Sequence, residues 1–184
     1  MRLFVGIELD DDARDACAAI AARLEASGLS AKYVEPTNYH MTIVFLGNVN
    51  REALPEIEAA TATVAAQHAP FVLTFDRVGA FPHERKPRTA FVGSRGVDEA
   101  YRALARAMER ACEALGYPSD KDAIPHVTLA RVPERTRATL PMIDVAPFAV
   151  RIEAVTIFES LPHEGKTRYI TQRVFEFGAI GTKD

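Results

Sequence analysis

The pattern His-x-Thr occurs twice in this chain, as His40-Met41-Thr42 and, 86 positions later, as His126-Val127-Thr128. The first copy lies in a run rich in β-branched and aromatic residues, 39–46, and the second in a strand-like run, 125–132. Because a strand alternates faces, His40 and Thr42 share one side while Met41, Ile43 and Phe45 take the other, and His126 and Thr128 likewise oppose Val127 and Leu129. Val44 and Leu46 have the parity of His40, so the polar face is expected to turn apolar within one more pair of residues. A single histidine beside a strand threonine is ordinarily a half-buried packing pair, since short patterns recur by accident. Here there are two copies among five histidines, each preceded by a helical pattern and a proline-containing loop and followed by a valine, Val49 or Val132. This points to an old duplication, and a pseudo-two-fold arrangement would set the two strands facing each other across a cleft.

The rest of the chain fits helices layered on sheets. An apolar run at 3–9 reads as strand, and 11–26 carries Ala16, Ala19, Ile20 and Leu24 at helical spacing with Ser27-Gly28 as its stop. Residues 51–67 are alanine-rich and helical, with Pro55 tolerable only in a first turn. An alternating run at 71–78, the polar stretch 82–88 and a β pattern at 89–92 together read as a long-looped hairpin. Within 97–115, Tyr101, Leu104, Ala105, Met108, Ala111, Cys112 and Leu115 follow helical spacing, with Gly116 as the C′ residue. Strand patterns follow at 125–132, 148–158 and 169–177. No low-complexity stretch or Gly/Ser linker divides the chain, so one domain over 1–184 is expected, as two intertwined lobes without a separable boundary. The expected class is α+β, with helices on antiparallel or mixed sheets.

Composition narrows the partners. With 48% hydrophobic and 26% charged residues, the chain has the balance of an ordinary globular protein. A net charge of −3 denies it the overall positive field of a non-specific nucleic-acid binder, so any nucleic acid must be held locally. Cys17 and Cys112 are far apart and form no C-x-x-C pair, which argues for two buried free thiols in a reducing compartment rather than a disulfide or thiolate metal site. The first apolar run is too short for a secretion signal and is followed by Asp10-Asp11-Asp12, and no segment approaches the roughly 18 apolar residues of a bilayer span. A cytoplasmic protein without membrane association is expected.

Two imidazoles and two hydroxyls converging, without a carboxylate cluster or thiols to hold a metal, suit paired proton transfer. Histidine titrates near neutrality, so one ring can accept a proton while its partner donates one. On a phosphodiester, one histidine would activate water and the other protonate the departing alkoxide, with the hydroxyls on the non-bridging oxygens. A cyclic phosphate is a favourable substrate because its leaving oxygen stays tethered. The residues alone leave open which histidine is acid and which is base.

The sequence resembles the two-histidine (2H) phosphoesterase superfamily, and in particular the bacterial and archaeal RNA 2′,3′-cyclic phosphodiesterases of the LigT-like, or 2′-5′ RNA ligase, group. The resemblance spans nearly the whole chain. It rests on Arg2-Leu3-Phe4-Val5-Gly6-Ile7-Glu8-Leu9, on Asn38-Tyr39-His40-Met41-Thr42-Ile43-Val44-Phe45-Leu46-Gly47, on Pro125-His126-Val127-Thr128-Leu129-Ala130-Arg131, and on Glu159-Ser160-Leu161 with Gly165 and Tyr169. It implies a bilobal α+β fold with two related sheets around a central cleft that carries the two H-x-T strands. It also implies hydrolysis of an RNA terminal 2′,3′-cyclic phosphate to a 2′-phosphate without a metal or other cofactor. Carried over, His40 is the proton donor and His126 the proton acceptor, Thr42 and Thr128 bind the phosphate, and Arg131 is a further phosphate contact. Family members also join RNA ends through 2′-5′ linkages. The implied partners are RNA ends bearing the cyclic phosphate, tRNA fragments among them, acted on by a monomer.

Strict alternation puts Arg131 opposite His126, so a contact to phosphate requires a twist or bulge at the strand end. Relatives often carry a Val-x-Trp-type stretch after the hairpin loop. This chain has Arg88-Thr89-Ala90-Phe91-Val92 and no tryptophan, which leaves Phe91 as the substitute for base stacking, with Tyr39 and Tyr169 as further platforms. Basic clusters at 83–88 and at Arg131, Arg135 and Arg137 could rim the cleft or stand as solvated loops. His68 is expected to close a helix, and His83 and His163 to lie in loops. Other readings are the same chemistry on a small cyclic phosphate such as that of ADP-ribose, a non-catalytic RNA-end binding module, and a two-histidine metal site.

Overall fold

The structure is a computed structural model and describes residues 1–96, 98–119 and 123–178. The chain runs β1 (Arg2–Glu8), α1 (Asp11–Ala26), β2 (Lys32–Tyr33), β3 (His40–Asn48), α2 (Leu54–Ala66), β4 (Phe71–Phe75), β5 (Arg77–Phe81), β6 (Thr89–Gly93), α3 (Glu99–Ala114), β7 (His126–Arg131), β8 (Phe148–Ile152), β9 (Ala154–His163) and β10 (Lys166–Glu176). The helices α1 and α3 begin and end alike. Asp10 Oδ1 accepts the Ala13 N–H and Asp98 Oδ1 the Tyr101 N–H, both at 2.8 Å, so each cap satisfies a donor that the first turn leaves free. Each stops at a glycine in the left-handed region, Gly28 and Gly116, both with φ near +88°. One stripe of each is buried: Ala13, Cys17, Ile20, Ala21 and Leu24 in α1, and Tyr101, Leu104, Ala105, Met108 and Cys112 in α3.

Two four-stranded sheets carry the histidine strands, in the orders β10-β9-β1-β3 and β2-β7-β6-β5, and β4 pairs separately with β8. The antiparallel trios β9-β1-β3 and β5-β6-β7 correspond: in each, the strand before the long helix pairs with the strand bearing H-x-T. The halves are interleaved. Helix α1 packs against β7 and α3 against β3, so each half's helix contacts the other half's histidine strand. The buried apolar residues of both halves accordingly form one cluster. No helix among the described residues is long and apolar enough to cross a membrane.

The α+β class and the paired halves expected from the sequence are present, with local differences. The helix expected over 51–67 starts with a 3-10 turn at Arg51–Ala53, and Pro55 sits in the first turn of α2, where its missing N–H costs nothing. The run 71–78 is split. Asp76 separates β4, which pairs with β8, from β5, which forms the hairpin with β6. Glu153 similarly breaks the single strand expected over 148–158. Strand β2, only two residues long, gave no readable period. Val97, where the third helix was expected to start, and residues 179–184 of the expected domain lie outside the described residues.

Close backbone approach, rather than turn geometry, requires two of the glycines. A Cβ at Gly6 would collide with the Met41 carbonyl oxygen, and one at Gly93 would lie 2.7 Å from the Pro125 carbonyl oxygen. Both contacts are to backbone beside a histidine strand, where nothing can swing aside. Gly6→Ala and Gly93→Ala should each lower unfolding free energy by about 1–3 kcal/mol, the usual cost of overpacking. Urea denaturation measures this, and unchanged midpoints would mean that the strands do not sit this close.

Candidate active site

Each histidine is held through its own backbone. His40 Nδ1 lies 2.7 Å from the Asn38 carbonyl oxygen and His126 Nδ1 2.7 Å from the Ile124 carbonyl oxygen, the same two-residue step in both halves. A carbonyl only accepts, so Nδ1 carries the proton and each Nε2 is left as the unprotonated nitrogen of the neutral ring. Asn38 is itself tied to β10: its Nδ2 donates to the Thr167 carbonyl at 2.8 Å and its Oδ1 accepts the Tyr169 N–H at 3.2 Å. His40 Nε2 is 3.1 Å from Thr42 Oγ1. His126 Nε2 has no hydrogen-bond partner among the described residues.

The rings rest on matched aromatic floors. Phe4 lies 4.8 Å from His40 by ring centroids and stacks on Phe158 at 4.9 Å. Phe91 lies 5.3 Å from His126 and stacks on Phe81 at 4.5 Å. Tyr169 closes the His40 side, edge-on at 4.7 Å. Phe91 is 2% exposed and Tyr39 3%, so neither offers a face to a base as their sequence positions suggested; Phe91 is floor, with Gly79 directly beneath its ring.

Sequence alternation fails just after the threonine of each histidine strand, and once more at Leu46 of β3; the first failure in each strand builds the site. Along β3, Gly6 pairs with Thr42 but Val5 with Val44, so Ile43 is an extra residue; along β7, Phe91 pairs with Thr128 but Ala90 with Ala130, so Leu129 is extra. Both are β-bulges, and each reverses the parity of the residues beyond it. Phe45 therefore pairs with Phe4, on the face of His40 and Thr42, and Arg131 pairs with Thr89, on the face of Phe91, Thr128 and His126. The expectation that Phe45 would oppose His40 is corrected: Phe45 is 64% exposed on the polar face, and Val44 and Leu46 are buried. The burial sequences of the first six residues of the two strands are identical. Phe45 was missed for want of any signal for the bulge in a single strand; comparison with Arg131, at the same offset from its histidine, would have found it.

The five residues singled out by sequence, His40, Thr42, His126, Thr128 and Arg131, thus share the cleft between β3 and β7, which pack against each other. Burial pushes the His40 imidazole down to about 4 from its usual 6.5; the Asn38 carbonyl opposes this, and positive charge on His126 and Arg131 adds to it. Burial also lowers His126, against the pull of the Ile124 carbonyl and with the help of Arg131. Both rings are therefore neutral near pH 7.

The basic clusters are placed differently from one another. Arg88 donates to the Glu134 carbonyl at 2.8 Å, the Leu140 N–H donates to the Glu84 carbonyl at 2.8 Å, and the Val132 N–H to the Arg88 carbonyl at 3.0 Å. Arg88 thus braces two loops, while Arg85, Lys86, Arg135 and Arg137 are exposed. His68 caps α2 through the Val64 carbonyl at 2.8 Å, and His163 ends β9 rather than lying in a loop. No group of three histidine, cysteine, aspartate or glutamate side chains among the described residues is placed to hold a metal ion.

Comparison with known proteins agrees with this geometry. The family model described as LigT like Phosphoesterase matches residues 7–91, which contain His40, and 92–169, which contain His126. A protein of Archaeoglobus fulgidus named RNA 2′,3′-cyclic phosphodiesterase is 41% identical over 72% of this chain and 73% of its own length. One of the same name from Methanothermobacter thermautotrophicus is 30% identical over 72% and 71%. The crystal structure of TT0787 of Thermus thermophilus superposes with a TM-score of 0.84 at 26% identity, covering 98% of this chain and 100% of the other. The fold of E. coli LigT matches with a TM-score of 0.75 at 24% identity, over 96% and 97%. With the family model matched over most of the chain and the two H-x-T strands presented to one cleft, the chain belongs to the LigT-like phosphoesterase family.

Proposed function

We propose that the protein hydrolyses the 2′,3′-cyclic phosphate at an RNA 3′ end to a 2′-phosphate, with His40 as proton donor and His126 as proton acceptor. The observation that carries this reading is the matched presentation of the two imidazoles, each with Nδ1 committed to the carbonyl two residues back and Nε2 free of the backbone. The names of the relatives supply the substrate class. Water attacks phosphorus as the P–O3′ bond breaks; the water proton passes to His126 Nε2, and the proton on His40 Nε2 passes to the 3′ oxygen. The partnerless His126 Nε2 suits the acceptor. His40, lowered by burial, is protonated beside a bound phosphate, since a nearby negative charge favours imidazolium. Thr42 and Thr128 donate to the non-bridging oxygens, Arg131 balances their charge, and exposed Phe45 gives the terminal base a face to stack on.

A 5′-hydroxyl in place of water would give the 2′-5′ joining reaction in the same site. The free buried thiols Cys17 and Cys112 suit a reducing cytoplasm. The test is incubation with a short RNA ending in a 2′,3′-cyclic phosphate, with EDTA present, resolving 2′- from 3′-phosphate product. The 2′-phosphate is expected; a 3′-phosphate would reverse the leaving oxygen, and binding without turnover would favour the RNA-end binding module.

His40→Ala and His126→Ala should each lower kcat by about 10²–10⁴-fold, the usual contribution of a positioned acid or base, with the double variant little worse than either. Near-normal turnover in either single variant would sink the paired mechanism. Thr42→Ala and Thr128→Ala should cost about 10–10³-fold, read in kcat. Phe45→Ala should weaken substrate binding by about 1–3 kcal/mol, a stacked base's worth, read in KM with kcat little changed.

The lowered histidines also set an acid limit on stability. Between about 4, the value for folded His40, and its usual 6.5, the unfolded chain binds the proton that the folded chain refuses. Stability is therefore complete above about 6.5 and falls as pH drops toward 4. Melting temperature followed across that window should show a gentler slope in His40→Gln than in the unmodified protein; equal slopes would mean that His40 titrates normally.

A further inference from the structure

On the far side of His126 lies a cavity of about 410 Å³ that the hydrolytic mechanism does not use. It is bounded by Arg77 of β5, the loop at 94–96, the start of α3 and the segment Ala123-Ile124-Pro125 that leads into His126. Four guanidinium groups line it, from Arg77, Arg95, Arg102 and Arg106, against the two carboxylates of Asp98 and Glu109. Both carboxylates are engaged by backbone, Asp98 by the Tyr101 N–H and Glu109 by the Ala123 N–H. Arg102 pairs with Glu99 at 3.3 Å, while Arg95 and Arg106 have no side-chain partner among the described residues. Clustered arginines are commonly a solvated face. Two further observations separate this cluster from one. The Tyr101 hydroxyl, on a side chain only 2% exposed, and Arg77 Nε are buried without a hydrogen-bond partner, and both residues line this cavity. Buried polar groups left unpaired are costly, and both belong to residues in the wall of this cavity.

The cavity adjoins the reaction centre. Arg77 pairs with Gly93 and Gly93 with His126, so all three share one face of the sheet. The Arg77 guanidinium lies 5.5 Å from the centroid of Phe91, and Phe91 is 5.3 Å from His126. That separation is within reach of the next phosphate along a strand whose terminal cyclic phosphate sits at His126. The volume lies in the range of small-ligand sites. Its rim holds Ile124, 43% exposed, an apolar surface for a base or sugar beside the cationic wall.

On the phosphodiesterase reading above, we infer that this cavity is the subsite for the nucleotide immediately upstream of the reacting end, its phosphodiester held by Arg95 and Arg106 with Arg77. The protein is then selective for oligonucleotide ends over mononucleoside cyclic phosphates, and it achieves this despite a net charge of −3.

The test is the double variant Arg95→Ala/Arg106→Ala, whose two exposed side chains lie outside the proposed chemistry, assayed on a tetranucleotide ending in a 2′,3′-cyclic phosphate and on adenosine 2′,3′-cyclic phosphate. The unmodified protein should prefer the tetranucleotide in kcat/KM. The double variant should raise KM for the tetranucleotide tenfold or more, with kcat and all mononucleotide parameters unchanged. An unchanged tetranucleotide KM, or equal losses on both substrates, would overturn the subsite. Inorganic phosphate is added in a separate arm: competition confined to the tetranucleotide is expected, whereas phosphate that alters mononucleotide turnover, and does so only while both arginines are present, would assign the cavity to a free anion instead. If the unmodified protein turned over neither substrate, the phosphodiesterase reading would fail on its own. The subsite would then stand or fall on tetranucleotide binding by fluorescence anisotropy, which the double variant must weaken tenfold.

Discussion

An imidazole has two nitrogens, and the cleft depends on which of them is committed to the backbone. In both halves the answer is Nδ1, held by the carbonyl two residues earlier, at Asn38 and at Ile124. This fixes the tautomer, the ring orientation and the direction of the remaining nitrogen in one stroke, without a carboxylate partner. A carboxylate in that place would raise the histidine's proton affinity; a neutral carbonyl does so less, and burial prevails. The contact that orients the rings thus leaves both of them uncharged near neutral pH.

Around those rings the two halves are similar in framework and different at the rim. Each ring lies on a buried phenylalanine backed by a second, Phe4 on Phe158 and Phe91 on Phe81. The bulges at Ile43 and Leu129 then deliver the fifth residue after each histidine onto the same face, and there the duplication diverges into Phe45 and Arg131. A strictly symmetric cleft would offer two of one kind of surface, and the divergence supplies one exposed aromatic ring and one exposed guanidinium.

Much of this was legible in the sequence. The repeated H-x-T, the strand–helix–strand order and the glycine stops at Gly28 and Gly116 were enough to place two histidine strands face to face, because periodicity and capping are local properties. The bulges were not legible. An extra residue in a strand is specified by its pairing partner, and Val5-Gly6 and Ala90-Phe91 are far away in sequence. Parity read from one strand therefore put Phe45 on the wrong side. Conversely, placing Arg131 with His126 demanded a bulge, and the register contains one. The division of 71–78 at Asp76 and of 148–158 at Glu153 was hidden for a similar reason: β4 and β8 take each other as partners across a long stretch of chain. The exposure of Phe45 and the burial of Phe91 are outcomes of packing that the composition of neither strand could announce.

The strand order has a consequence for the order of synthesis. The His126 half is assembled from β5, β6 and β7, with α3 between the last two, in one continuous segment from Arg77 to Arg131. The His40 half is not. Strand β1 lies between β3 and β9, and the ring behind Phe4 is Phe158, from much further along the chain. The histidine that is translated first is thus the one whose surroundings are finished last, after β9 and β10 have left the ribosome. Until then β1 presents an open edge, and Asn38 lacks the backbone of β10 that anchors it. The two-sided cleft is therefore complete only when the closing hairpin of β9 and β10 has docked.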